Sequence, residues 1–394
     1  MKIDTYYDAM ALHREDKIIY AHFLKPHRVI STCSAAGGIT DEMAYMYNHQ
    51  SCEPTKHHTA ADRIMKMADG LYREEVATRH GLPSEKCVTL GTAANMRCAA
   101  VVTKKFRDTE VVVVATGGVE TNGGRAGDPA TVYECDGKFE RITGEAPTPG
   151  TINTMIFISK ELTKGALVRS IITATEAKSA ALQELSVPSR YSNGLATGTG
   201  TDQIGVACLL GTGHPLRSSG KHSKLGELIG SAVREAVKET LIRQNGLSPE
   251  NRCDMSVHLQ RFAGSLSQLK NDIARYLNDN DAELLRNNML CLNHDPMVVA
   301  AIMAMIHVRD QLAWGVLPMA CLPDLFVSHG LHIAMSVAGC DEPHGEWKHS
   351  LAAINMTLDD ADFLEMICCA LALGFADKWR HCNNESETTC PKKD

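Results

Sequence analysis

Residues 194–230, GLATGTGTDQIGVACLLGTGHPLRSSGKHSKLGELIG, constrain this chain more than any other stretch. Gly and Thr alternate from Gly198 to Thr201. Asp202 and Gln203 then head an apolar run, Ile204 to Leu210, and a second glycine-rich loop leads to a helix opening near His222. Glycine lets backbone approach a ligand with no Cβ in the way. Thr, Asp and Gln offer hydroxyl, carboxylate and amide groups to the same space. The pattern reads as a strand, a polar corner, a second strand, a loop, and a helix carrying His222, Lys224 and Glu227. Two nucleotide motifs fail here. After Gly220-Lys221 a phosphate loop needs Ser or Thr, and His222 stands there; Pro215 occupies the place of its first glycine. A dinucleotide fingerprint starting at Gly198 meets Gln203 where its third glycine belongs.

The chain has 394 residues, enough for two domains and a substantial core. A net charge of −7 gives no dominant basic face, and 5% aromatic residues leave few stacking platforms. Both argue against nucleic acid as partner. Of 14 cysteines none forms a Cys-x-x-Cys pair, and several sit inside apolar runs. Reduced thiols in a cytoplasmic protein are expected. The first residues lack the basic-then-apolar pattern of a signal sequence, and no run reaches eighteen apolar residues, so no membrane span is expected.

Short apolar runs predict strands at Ile18 to Phe23, Arg28 to Cys33, Cys87 to Thr92, Cys98 to Val102 and Met155 to Ile158. The clearest strand is Glu110 to Thr116, whose four consecutive valines read as buried on both faces. It runs into a loop punctuated by Gly117, Gly118, Gly123, Gly124 and Gly127, with Arg125 and Asp128 three apart. Alternation after Gly150 puts Thr151 and Asn153 on one face and Ile152 and Thr154 on the other. Residues 59–79 read as a helix capped by Thr59, with Ile64, Met67, Ala68 and Leu71 at helical spacing. Thr163 caps a second helix, Lys164 to Leu185, whose Glu176 and Lys178 lie in a segment with the look of a solvated face. His222 to Gln244 is an amphipathic third.

Asn245-Gly246-Leu247-Ser248-Pro249 marks a boundary. Beyond it strand patterns vanish, and Ser256 to Leu277, Met297 to Trp314 and Asp359 to Phe375 read as helices. His329 and His332 have a spacing that can bind metal, but no Cys or carboxylate joins them, so no metal site is assigned. The expected organisation is an α+β domain over 1–245, a helical domain over 246–380 and a disordered tail over 381–394. The first holds about eight strands in mixed sheets flanked by helices, with a layered αββα sandwich as one arrangement.

Five segments together carry a resemblance: RAGDPA (Arg125 to Ala130), GTINTMIF (Gly150 to Phe157), GALVRSIITATEAKSAALQEL (Gly165 to Leu185), GLATGTGTDQIGVAC (Gly194 to Cys208) and HSKLGELIG (His222 to Gly230). In order, within one domain, they resemble the adenosylcobinamide amidohydrolases of corrinoid salvage, the CbiZ type, over roughly residues 17–245. The helical part does not share it, and Asp41 to Thr59, with His49, His57 and His58, reads as an insertion. The resemblance implies hydrolysis of the amide joining the corrin propionate to aminopropanol, giving adenosylcobyric acid. Related members are thought to act also on complete corrinoids with the wrong lower ligand. It implies no cofactor or metal except the cobalt of the corrinoid substrate, no nucleic-acid or membrane partner, and leaves a homo-oligomer open.

Amide hydrolysis needs a nucleophile, proton transfer and donors for an oxyanion. No Gly-x-Ser-x-Gly elbow and no His-Glu-x-x-His helix is present. Two routes stay open. In the preferred one a carboxylate activates water: Asp202 and Glu176 lead, with Asp128 and Glu120 behind, and His222 as acid toward the leaving amine. In the other a threonine attacks, Thr151 first, then Thr199 or Thr201. Glycine N–H groups at Gly198 to Gly200 or Gly123-Gly124 are the expected oxyanion donors. For a broad substrate ringed with amides, Asn122, Arg125, Asp128, Asn153, Thr154, Thr199, Thr201, Gln203 and Lys224 are the expected binding residues. The different-class rival is a corrinoid-binding carrier or sensor without catalysis. Tight ATP binding would revive a third reading, a nucleotide-using enzyme.

Overall fold

A computed structural model of the chain describes residues 1–34, 36–51, 70–142 and 150–385. The chain separates into two compact units, Met1–Leu247 and a second beginning at Ser248.

The first unit is built on two facing sheets. One has five strands in the order β1 (Lys2–Tyr6), β2 (Met10–Glu15), β3 (Ile18–Phe23), β6 (Tyr45–Gln50), β7 (Cys87–Thr92). The other has six, β5 (Gly38–Thr40), β4 (His27–Ser31), β15 (Gln203–Leu209), β13 (Thr151–Ile158), β9 (Thr109–Gly118), β8 (Ala100–Phe106). Neighbours run antiparallel except β6 with β7 and β13 with β15. Two ribbons complete the unit: β10 (Gly123–Gly124) with β14 (Gly198–Thr199), and β11 (Val132–Cys135) with β12 (Lys138–Arg141). The two sheets alone hold eleven strands, more than the eight expected. Short strands such as β1, β2 and β5 carry too little apolar pattern to stand out in sequence.

Period-two alternation sorts the layers. Val112, Val114, Met155, Phe157 and Ala207 meet Met10, Leu12, Ile19 and Phe23 between the sheets. Val111, Val113, Ile152, Ile156 and Val206 face the other way, onto α2 (Lys164–Glu184) and α3 (Lys224–Asn245). α1 (Leu71–Arg79) covers the outer face of the five-stranded sheet, with Val76 and Ala77 against Ile18, Tyr47 and Cys87. The unit is therefore a layered helix–sheet–sheet–helix sandwich, one of the arrangements expected for the α+β domain. The valine run is buried on both faces.

Thr163 caps α2 by accepting from the Ala166 N–H. α3 starts two residues later than expected: Ser223 caps it and Lys224 is its first residue, so His222 lies outside it. Gly246 ends α3 in the left-handed conformation, φ 64°. Tyr45–Gln50, expected within an insertion, is instead strand β6, paired on both edges inside its sheet. The expected helix cap Thr59, with Ile64, Met67 and Ala68, lies outside the described residues, as do His57 and His58.

The second unit is helical: α4 (Pro249–Arg252), α5 (Met255–Leu259), α6 (Leu266–Ala274), α7 (Asp279–Asn293), α8 (Pro296–Ala313), α9 (Leu322–Ala338), α10 (Gly345–Ala352) and α11 (Asp360–Glu385). The single helix expected over Ser256 to Leu277 is broken. Ala263 takes φ 62°, a left-handed turn, and Ser265 caps a fresh start. α11 runs on to Glu385, past the expected end at Phe375; residues 386–394 lie outside the described residues. Two helices, Pro296–Ala313 and Met319–Ala338, are long and apolar enough to cross a membrane by length and composition, with 50% and 39% of their residues buried within the unit. The first also holds two buried charged residues. Arg309 binds Asp360, and Asp310 binds Arg261.

Candidate active site

The ladder between β13 and β15 begins at Asn153 and Gln203. One step before it, the Asp202 carboxylate takes the place of a strand. Its Oδ1 accepts from the Ile152 N–H at 2.8 Å and from Thr199 Oγ1 at 2.6 Å. Its Oδ2 accepts from the Thr199 N–H at 3.0 Å and from the Lys178 ammonium, with which it forms an ion pair. Both side chains are only partly exposed, 14% for Lys178 and 15% for Asp202. Gly198 permits this approach. A Cβ there would stand 2.5 Å from Asp202 Oδ2 and 2.8 Å from Lys178 Nζ.

Beside this pair lies a threonine relay. Thr201 Oγ1 donates to the Gly150 carbonyl at 2.8 Å and lies 2.6 Å from Thr151 Oγ1. A hydroxyl has one proton. Thr201 gives its own to a carbonyl, which can only accept, so Thr151 donates to Thr201. The relay ends on a peptide oxygen, not on a base. Asn122 Nδ2 donates to the same carbonyl at 3.0 Å, and Tyr191 donates to Asn122 Oδ1 at 2.6 Å. Gly150 has to be glycine: a Cβ would meet Asn122 Cβ at 2.7 Å and the Gly118 carbonyl at 3.0 Å.

Between the sheets, directly behind, runs a closed amide network. Asn153 Nδ2 donates to Asn48 Oδ1 and to the Gly91 carbonyl, both at 2.9 Å. Asn48 Nδ2 donates to Thr116 Oγ1 at 2.7 Å, and the Gly91 N–H donates to Gln203 Oε1 at 2.8 Å. The Gln203 N–H closes on Asn153 Oδ1 at 3.2 Å. Such a network locks register because every member is satisfied.

Of the residues expected at a site, Thr151, Thr199, Thr201, Asp202 and Gln203 are brought together. Others lie elsewhere or are spent on the protein itself. Asn153 and Thr154 are 1% and 4% exposed, and Asn153's amide is consumed by the protein. Both are packed within the strand end. Asn122 is likewise buried and spent on Gly150 and Tyr191. Asp128 accepts from the Arg125 N–H at 2.7 Å and from Ser189 Oγ at 2.5 Å. Burial pushes its carboxyl up, but hydrogen bonds from Ser189, Ser192 and the Arg125 amide, with the Arg125 charge, outweigh that and hold it below its ordinary value. Arg125 also donates to the Leu195 carbonyl at 3.3 Å. Both residues fold the glycine loop onto residues 189–195. Among the expected oxyanion donors, the Gly123 N–H is spent on the Val119 carbonyl, whereas Gly200 stays exposed at the turn.

Glu176, His222 and Lys224 do not join Asp202. Glu176 and Lys178 are two apart on α2, about 200° around the helix. Lys178 turns inward to Asp202, while Glu176 is 47% exposed and pairs with Lys221 at 2.7 Å. His222 lines the same cleft as Glu176, on that other side of α2. Lys224 pairs with Glu227 at 2.6 Å and sits 4.8 Å from the Phe106 ring centroid. Leu241 of the same helix covers Gly117, whose ladder partner is Ile152. Seventeen residues at 1.5 Å each put Lys224 about 25 Å along α3 from that level. Sequence reasoning missed Lys178. Its signal was there: Ala174, Ala181 and Leu182, at i−4, i+3 and i+4, are all buried.

Among the described residues no group of three or more His, Cys, Asp or Glu is placed to hold a metal ion, and His329 and His332 gain no third ligand. The model of the adenosylcobinamide amidohydrolase family matches residues 3–249, nearly the whole first unit. An uncharacterized protein of Methanocaldococcus jannaschii is 35% identical over 237 residues, 59% of this chain and 88% of its own length. With five sequence segments, an αββα unit and a match of this length in agreement, the chain belongs to the adenosylcobinamide amidohydrolase (CbiZ) family.

Proposed function

We propose that the first unit hydrolyses the aminopropanol amide of adenosylcobinamide, releasing adenosylcobyric acid, with Asp202 and Lys178 as the working pair. Membership of an amidohydrolase family supports the reaction class. The observation that carries the assignment of residues is the Asp202–Lys178 ion pair, held at a strand end by Thr199, largely buried but beside the exposed Gly200 turn.

The pair accounts for every proton. Water entering at the place of the Thr199 hydroxyl gives a proton to Asp202, and its oxygen attacks the amide carbon. The exposed Gly200 turn, two residues before Asp202, is the place for the developing oxyanion. As the C–N bond breaks, Lys178 gives a proton to the leaving nitrogen. Asp202 then returns its proton to Lys178 across their hydrogen bond, and the site is reset. This reading replaces His222 by Lys178 as the acid. It also favours water over a threonine nucleophile, because the Thr151 proton has only Thr201 and a carbonyl to go to. The substrate's cobalt is cargo and takes no part. The protein works without a cofactor and in the cytoplasm under this proposal.

One observation favours a second reading. Asp202 already receives four hydrogen bonds, the number a carboxylate can accept, which also suits a purely structural ion pair in a corrinoid carrier or sensor. Incubation with adenosylcobinamide and mass analysis of the corrinoid separates the two. Hydrolysis by wild type, lost in Asp202→Asn and Lys178→Ala but kept in Glu176→Gln and His222→Ala, supports the proposal. Corrinoid bound but intact would establish the carrier.

A further inference from the structure

On the side of α2 away from Asp202, a cleft of about 390 Å³ lies between the middle of the helix and the loop 217–223. Its charge is unusual for a chain of net charge −7. Arg169, Arg217, Lys221 and His222 all line it, against a single carboxylate, Glu176. Glu176 is spoken for by Lys221 at 2.7 Å. Neither Arg169 nor Arg217 has a hydrogen bond or ion pair within the described residues. Two guanidiniums facing one cleft repel each other, and the one carboxylate in its lining is already paired with Lys221.

The cleft is also held in shape. The buried Ser219 donates from its Oγ to the Ala166 carbonyl at 2.6 Å, and Thr173 Oγ1 donates to the Ser219 carbonyl at 2.9 Å. These two bonds clamp the loop to α2. The Arg169 guanidinium lies across Gly220, its Nε 3.0 Å from where a Cβ would stand, so glycine at 220 makes room for it. Such pre-positioning lowers the cost of binding. A planar guanidinium fork matches the oxygens of phosphate and binds it bidentately.

We infer that this cleft is a binding site for a phosphate group, as monoester, diester or free anion, held by Arg169 and Arg217. Only the question of where the phosphate comes from touches the hydrolase proposal. Inorganic phosphate and adenosine monophosphate are titrated calorimetrically into the full chain, with no turnover. Wild type is expected to bind, the Arg169→Ala and Arg217→Ala variants about tenfold or more weakly each. Lys224→Ala, which removes a neighbouring charge outside the cleft, should bind as wild type does. All three substitutions are at exposed positions, and unchanged melting confirms the fold. No binding by wild type, or equal binding by the double arginine variant, overturns the site. The source is read by comparing a cobinamide phosphorylated on its aminopropanol hydroxyl with the unphosphorylated one. A preference for the former that the double variant loses assigns the phosphate to the substrate. Phosphate binding without that preference assigns it to a free anion.

Discussion

Lys178 shows how little at the residue scale follows from residue type. Beside Glu176 it has the look of a solvent-facing helix segment, yet two positions of helix phase separate a half-exposed pair from a mostly buried one. Breaking a largely buried ion pair by removing one partner leaves the other charge uncompensated. Lys178→Ala is therefore expected to cost about 3 kcal/mol in chemical denaturation. Gly198→Ala should do comparable damage without removing a charge, because its Cβ would clash with both partners. If the pair is catalytic, Asp202→Asn should lower kcat by about a hundredfold or more, while Glu176→Gln leaves it unchanged. His27 offers a separate test. It is fully buried: its Nδ1 donates to the Lys25 carbonyl at 2.8 Å, its Nε2 in the neutral ring accepts from the Tyr7 hydroxyl at 3.1 Å, and burial lowers its pKa to about 4. The unfolded chain takes up a proton near 6.5 that the folded chain refuses, so stability is complete above that pH and falls as pH drops toward 4. The loss approaches roughly 3 kcal/mol. Urea midpoints measured across this window should fall in wild type and fall less steeply in His27→Leu. His49, lowered to about 3 by burial and the nearby His80, keeps part of the slope in that variant.

At the scale of elements, periodicity was the reliable guide. The valine run of β9, the alternation of β13 and the Thr163 cap are all local patterns, and local sterics decide them. Elements that depend on partners were less readable. β6 carries Tyr, Asn, His and Gln, which read as a polar insertion, but each finds a partner or a packed face only across the sheet. The break at Ala263 is similar, since a non-glycine residue in a left-handed turn is held by its surroundings. Helix crossings add a test. Gly374 on α11 faces the Ala334 carbonyl of α9, and a Cβ there would also stand 2.8 Å from Val337 Cβ. On propensity alone Gly374→Ala would stabilise a helix interior by about 1 kcal/mol. The contact with backbone reverses the sign, and the variant is expected to melt lower, by about 2 kcal/mol of stability.

For the whole molecule, the boundary after Leu247 and the family match ending at 249 fall together. The first unit has its own three cores between its layers, and the second has a separate one. A chain ending at Leu247 is therefore expected to fold alone. It should give one cooperative transition in calorimetry and, under the proposed function, match the full chain's rate on adenosylcobinamide. A molten fragment, or one that folds but has lost the reaction, would show that the helical unit contributes to the first.

Composition and spacing by themselves determined the class of the fold and the order of its main strands and helices, and singled out the segment around Asp202 as the candidate site. Those follow from hydrophobic periodicity and from glycine's conformational freedom, which act over a few residues. Which charged groups meet was decided only by the tertiary structure. Asp202 and Lys178 are 24 positions apart, and Asn48 and Asn153 are 105 apart. Such pairings depend on helix phase and sheet register, so the sequence supplied the candidates and the packed layers selected among them. Thr151, Thr201 and Asp202 were kept. Glu176 and His222 were sent to the other side of a helix, to a cleft of different chemistry.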